Sequence, residues 1–117
     1  MLIRLNDASP ATFTEQIVAQ VRLGVANGEI SRGERLPAAR ELAASLGVNM
    51  HTVLRAYDAL RAAGVIDLRR GRGAMVVGGD RPEIGRLFQS VSALVVDARN
   101  LGISAVELSS LVKGLAS

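Results

Sequence analysis

At 117 residues the chain has room for one domain and a small appendage; 49% apolar residues supply a core, and 3% aromatics make that core aliphatic. The absence of cysteine excludes disulfides, thiolate metal sites and a cysteine nucleophile, and a lone histidine, His51, excludes a three-histidine metal site within one chain. The net charge of +3 is unevenly placed, with seven arginines against three acids over residues 35–72 and four basic residues against four acids from residue 80 onward. That distribution fits a polyanion-binding module joined to a neutral oligomerisation module, although an excess this small also fits simple scatter.

No run of about 18 apolar residues is present, and Asp7 and Ser9-Pro10 interrupt the N-terminal stretch too early for a signal peptide, so a cytoplasmic protein without membrane contact is expected.

The first helix is predicted to begin after Thr12, which has capping-box spacing to Glu15. Phe13, Ile17, Val21 and Val25 recur every four residues on one face, and Gly28 stops the helix. A loop with Gly28, Gly33 and Pro37 leads to a short second helix, Ala38–Leu46, whose inner face is Leu42, Ala43 and Leu46. Gly47 ends it, and Asn49 is the expected N-cap of a third helix running from Met50 to about Ala63. The third helix is expected to bury Val53, Ala56 or Tyr57, Leu60 and Ala63, and to expose His51, Leu54, Arg55, Asp58 and Arg61.

Two helices joined by a short glycine turn have the spacing of a helix-turn-helix. Residues 65–69 and 74–77 are β-prone runs on either side of Arg70-Gly71-Arg72-Gly73, and they read as a hairpin, the wing. Gly78-Gly79 marks a boundary between a domain of residues 1–78 and a tail of residues 79–117. Asp80, Pro82 and Glu83 start a fourth helix, in which Ile84, Leu87, Val91, Leu94, Ala98 and Leu101 follow at steps of three and four. Phe88 and Val95 widen this heptad-like seam, and Gly102 closes it. Ser104 and Glu107 open a last helix with Leu108, Leu111, Val112 and Leu115 apolar. The expected fold is mainly α with a small β-hairpin: a winged helix-turn-helix plus a two-helix C-terminal tail.

Phe13–Val77 resembles the N-terminal domain of the GntR family of bacterial regulators. The matching residues are Glu15-Gln16-Ile17, Gly33-Glu34-Arg35-Leu36-Pro37, Arg40-Glu41-Leu42-Ala43, Leu46-Gly47-Val48, Thr52-Val53 and Arg70-Gly71-Arg72-Gly73, in that order and spacing. Residues 49–57 and the short tail are similar to the YtrA-type subfamily. The resemblance implies a dimer that often represses transporter operons. The chain departs from the family pattern at Met50, at Leu54 and at Ala38-Ala39, where a capping hydroxyl is usual.

The expected DNA-binding set is Arg35, Arg40, Asn49, Met50, His51, Thr52, Arg55, Arg70, Gly71 and Arg72. Arg55 lies one turn after His51 on the same face, and an arginine can fork to the O6 and N7 acceptors of guanine. Met50 or Leu54 could meet a thymine methyl. Arg40, in the first turn of the second helix, is placed for phosphate, with an ion pair to Glu41 or Glu34 as the alternative. Asn49 and Thr52 could cap as well as contact DNA, and Arg70 or Arg72 could enter a minor groove.

The tail is too short to close a core alone, so Ile84, Leu87, Phe88, Val91, Leu94, Val95, Ala98, Leu101, Leu108 and Leu111 are expected to bury themselves in a homodimer, unless the stripe folds back on the winged domain. The partner is then double-stranded DNA with an inverted-repeat operator. A small-molecule effector at the dimer interface, near Phe88 and Leu94, is left open. No metal, cofactor or enzymatic activity is expected, because no nucleophile–base constellation or phosphate-cradling loop is present. The competing reading is a winged-helix protein-interaction module without specific DNA binding.

Overall fold

A computed structural model describes residues 3–9, 11–69, 73–78 and 82–116 of the chain. Helix α1 spans Phe13–Ala26. The Thr12 hydroxyl accepts from the Glu15 N–H at 3.1 Å while the Thr12 N–H donates to the Glu15 carboxylate at 2.9 Å, so the capping box closes as its spacing predicts. The Thr12 N–H bond to the charged carboxylate, with the Thr12 side chain as the lesser cause, holds Glu15 below its ordinary pKa. Ile17 and Val21 are fully buried; Val25 and Phe13 are half-buried.

Helix α2 covers Ala39–Leu46 and starts one residue later than predicted, after Ala38, which offers no side-chain cap. Gly47 then takes a left-handed conformation, φ 69°, which a Cβ would oppose. The turn lets the Val48 N–H reach back to the Ala43 carbonyl at 3.0 Å. Helix α3 covers Met50–Ala62 and buries Val53, Ala56, Tyr57 and Leu60. Ala63 was expected on this stripe but is its exposed C-cap, because the helix ends before the next inward position is reached.

Strands β1 (Ile66–Arg69) and β2 (Gly73–Val76) pair antiparallel, Ile66 opposite Val76 and Arg69 opposite Gly73. Val65 and Val77, predicted as strand residues, flank the ladder, and Gly73 joins it. The loop before α2 adds a third line of pairing. Gly33 N–H donates to the Val76 carbonyl at 2.7 Å, Val76 N–H to the Glu34 carbonyl at 2.9 Å and Leu36 N–H to the Ala74 carbonyl at 2.8 Å. β2 is thus central, and Ile30 and Leu36 from the loop seal the core together with Leu42, Ala43, Val65, Ile66, Ala74 and Val76.

The N-terminal segment lies along α1. Gln16 and Gln20, one turn apart, each use the side-chain amide as a strand uses its backbone: Gln20 bonds the N–H and carbonyl of Arg4, and Gln16 those of Asn6. This pins Ile3 into the core.

Helix α4 (Pro82–Asn100) and helix α5 (Ala105–Ala116) form the tail. The start of α4 rests on α1, with Ile84, Gly85 and Phe88 half-buried, and a Cβ on Gly85 would lie 3.9 Å from the Ala26 Cβ. Ala98 is buried beneath the α4–α5 turn, where Ile103 N–H donates to its carbonyl at 2.8 Å. The expected cap by Asp80 falls outside the described residues, whereas Ser104 caps α5 by accepting from the Glu107 N–H at 3.1 Å. The stripe therefore divides. Its first turn folds back on α1, and the remainder stays open, with Leu87, Val91, Leu94, Val95, Leu101 and Leu111 all exposed.

Candidate nucleic-acid interface

The third helix has two opposed faces. Its buried face is aliphatic apart from Tyr57, and its outer face presents His51, Leu54, Arg55, Asp58 and Arg61 to solvent. Asn49 caps it, the side-chain oxygen accepting from the His51 N–H at 2.8 Å. Thr52 is half-buried. Met50, a candidate DNA contact in the sequence, is also half-buried and packs against the core, since it lies one turn before the buried Val53.

Arg40 stands exposed in the first turn of α2. Neither it nor Arg55 has an acidic partner among the described residues, so the ion pairs to Glu41, Glu34 or Asp58 are not formed. Asp58 instead pairs with Arg61 at 3.7 Å, and Asp67 with Arg69 at 3.1 Å. Among the described residues, two arginines thus keep their donors for an outside acceptor. Arg35 is exposed where the loop runs beside Met75 of β2. Arg70, Gly71 and Arg72 of the wing turn lie outside the described residues.

Two hydroxyl groups join these elements. Tyr57 Oη donates to the Pro37 carbonyl at 2.6 Å, and Thr14 Oγ1 to the Thr52 carbonyl at 3.2 Å. Burial, with the negative charge of Glu41 as the lesser cause, pushes the Tyr57 phenol up to about 12. The residue pattern read Tyr57 only as core. The usable signal was chemical: the one tyrosine of the chain sits on a buried stripe, and a buried hydroxyl needs a partner. Thr14 carried no comparable sign.

In the tail, α4 and α5 enclose an apolar groove of about 580 Å³ between Val91, Leu94, Val95, Ala98, Leu108 and Val112. Phe88, expected beside Leu94, faces a separate groove with Val18, Ile84 and Leu87 against α1. No group of residues suited to a metal ion occurs among the described residues, and no helix there is long and apolar enough to cross a membrane.

Residues 13–76 match the family of bacterial regulatory proteins, gntR family, over more than half of the chain. The chain is similar to the HTH-type transcriptional repressor YtrA of Bacillus subtilis (strain 168), at 27% identity over 121 residues covering 99% of this chain and 93% of that one. It is 36% identical over 102 residues to the HTH-type transcriptional regulator Rv1152 of Mycobacterium tuberculosis, covering 87% and 84% of the two chains. Two other relatives are longer proteins, of which the chain spans 16% and 41%. Among solved structures it is similar to YtrA from Sulfolobus acidocaldarius, a GntR-family transcription factor, with a TM-score of 0.62 and 31% identity over 97% of this chain and 96% of that one. The two-faced third helix, the hairpin behind it and these matches agree: the chain belongs to the gntR family of bacterial regulatory proteins, whose DNA-binding domain is a winged helix-turn-helix.

Proposed function

We propose that the chain is a homodimeric repressor that binds an inverted-repeat operator, with residues 1–78 holding the DNA and residues 79–117 the partner copy. The observation that carries this reading is the pair Arg40 and Arg55, both exposed and, among the described residues, without ion-pair partners, on the two helices of a helix-turn-helix. In this assignment α3 enters the major groove. His51 and Arg55 read base edges, Met50 or Leu54 meets a thymine methyl, and Asn49 and Thr52 serve the first turn. Arg35 and Arg40 hold phosphates, and Arg70, Gly71 and Arg72 of the wing reach the minor groove.

The open part of the tail supports the dimer. Leu87 is 57% exposed and Leu101 75%, and each fully buried Leu side chain is worth about 1.5–3 kcal/mol. A twofold axis through the tail covers Val91, Leu94, Val95, Leu101, Leu108 and Leu111 of both copies, and the second copy rather than an effector fills the α4–α5 groove. Ala98 drops out of the seam as a primary contact, since it is buried within the chain, and Ile84 and Phe88 contribute less, being half-buried against α1. The repressor assignment draws on the name of the Bacillus relative, and a transporter operon as target is what the YtrA-type resemblance implies.

The test is a salt titration of binding to DNA from the protein's own promoter. The logarithm of the binding constant should fall with the logarithm of salt by about 0.9 per phosphate neutralised. Absent or salt-independent binding overturns the reading. If promoter occupancy is unchanged when Arg55 and Arg72 are both replaced by alanine, the protein-interaction alternative takes its place.

A further inference from the structure

Leu36 and Pro37 sit where the three DNA-facing pieces of the domain meet. On one side the Leu36 N–H is held by the Ala74 carbonyl of β2, so this dipeptide is tied to the wing. On the other, Pro37 directly precedes Ala38, the N-cap position of α2, which makes no side-chain cap, two positions before Arg40. Proline has no N–H, so its carbonyl is the only backbone group it can offer, and the Tyr57 hydroxyl of α3 takes it at 2.6 Å. The Tyr57 side chain is fixed in turn: the residue is 3% exposed and packed among Val53, Ala56 and Leu60.

Hydrophobic contact between α2 and α3 through Leu42, Ala43 and the buried face of α3 resists separation but is not directional, and it leaves sliding and tilting of α2 comparatively soft. A hydrogen bond weakens steeply with angle and so removes that freedom. It fixes the start of α2 relative to α3.

We propose that Tyr57 is a positioning residue for DNA binding: its hydroxyl, held on the Pro37 carbonyl, sets the start of α2 against α3 so that Arg40 reaches a phosphate of the duplex while the outer face of α3 lies in the groove. Tyr57 itself touches no DNA. The inference rests on the DNA-binding assignment above and goes beyond it by naming what aligns two sets of contacts that occur on different helices.

The test is a double-mutant cycle with Tyr57→Phe and Arg40→Ala, using a duplex from the protein's own promoter and full-length protein, with folding of each variant checked by circular dichroism and thermal melting. Tyr57→Phe keeps the ring and removes only the bond. It should stay folded, weaken promoter binding about 3- to 10-fold, the range expected for one hydrogen bond, and lower the salt slope by about 0.9, the share of one phosphate. In the Arg40→Ala background the same change should have almost no further effect. Placing 4-aminophenylalanine at position 57, which restores a donor, should recover both affinity and slope. For any variant with a lowered melting temperature, binding is measured below its transition, and the salt slope, which loss of folded protein does not alter, carries the decision. Unchanged affinity and slope in a folded Tyr57→Phe protein, or losses that simply add in the double variant, overturn the positioning role. Failure of the unaltered protein to bind the duplex at all is a different result, and removes the DNA-binding reading on which this one rests.

Discussion

Thr14 Oγ1 donates to the backbone carbonyl of Thr52 at 3.2 Å, joining the first turn of α1 to the first turn of α3 across 38 residues of sequence. Thr14→Val keeps the shape of the side chain and removes the donor. We expect it to lower stability by about 0.5–1.5 kcal/mol, the range for one intramolecular hydrogen bond, and Thr14→Ser to recover most of that loss. Urea unfolding of the three proteins decides: equal midpoints mean that the bond contributes nothing.

Gly24 is the tightest of the helical glycines among the described residues. A Cβ there would stand 2.7 Å from Ile30 Cδ1 and 2.9 Å from Ile30 Cγ1. In an open helix Gly→Ala gains about 1 kcal/mol. Here Ile30 is 3% exposed, so turning its side chain aside disturbs the packed core, and overpacking should exceed that gain. Gly24→Ala is expected to destabilise by about 1–2 kcal/mol net, within the range for an added methyl in a packed core. A melting temperature equal to or above that of the unaltered protein would show that the core yields instead.

These two contacts mark what a linear reading captures. The helices of the winged domain were legible because their signals are local: Thr12 with Glu15, Asn49 before Met50, and Gly47 at the end of α2 each act within a few residues. The outward set on α3 followed from period alone, as did the burial of Val53 and Leu60, whereas Ala56 and Tyr57, read as alternatives, are both buried. Three features were not legible. Residues 33–36 pair with β2 although they read as loop, because their ladder partner lies some forty residues away. The amides of Gln16 and Gln20 bind the N-terminal backbone, which leaves no hydrophobic pattern. The division of the α4 stripe between α1 and open surface depends on how closely Gly85 lets α4 approach, and periodicity carries no distance.

Tyr57 gives a pH signature. Its phenol is pushed up to about 12, against about 10 for a free tyrosine. The folded state therefore keeps the proton longer than the unfolded chain. The associated stability is fully present below pH about 10 and is lost as pH rises through the folded value. Since the chain has one tyrosine and no tryptophan, ultraviolet titration of the phenol reports this group alone. The midpoint should lie near 12 in folded protein and near 10 in denaturant. A folded midpoint at the free value would place the hydroxyl in water and count against its bond to Pro37.

The dimer is tested by a charge placed on the open seam. Leu94 is 43% exposed in the single chain and lines the α4–α5 groove, so Leu94→Glu leaves its carboxylate in water as long as the protein is a monomer. Across a twofold interface the same substitution buries two like charges, which are expensive to desolvate without partners. We expect Leu94→Glu to sediment as a monomer, with the melting of the winged domain almost unchanged. Promoter affinity should fall steeply, because the two half-sites then lose the gain of being bound by linked modules. Val96 is a matched control: it is 53% exposed on the same helix but lies off the seam, so Val96→Glu should remain dimeric and bind normally. If Leu94→Glu is still dimeric, the partner copy is held by another surface; if both variants dissociate, the interface extends around the helix and is broader than the predicted stripe.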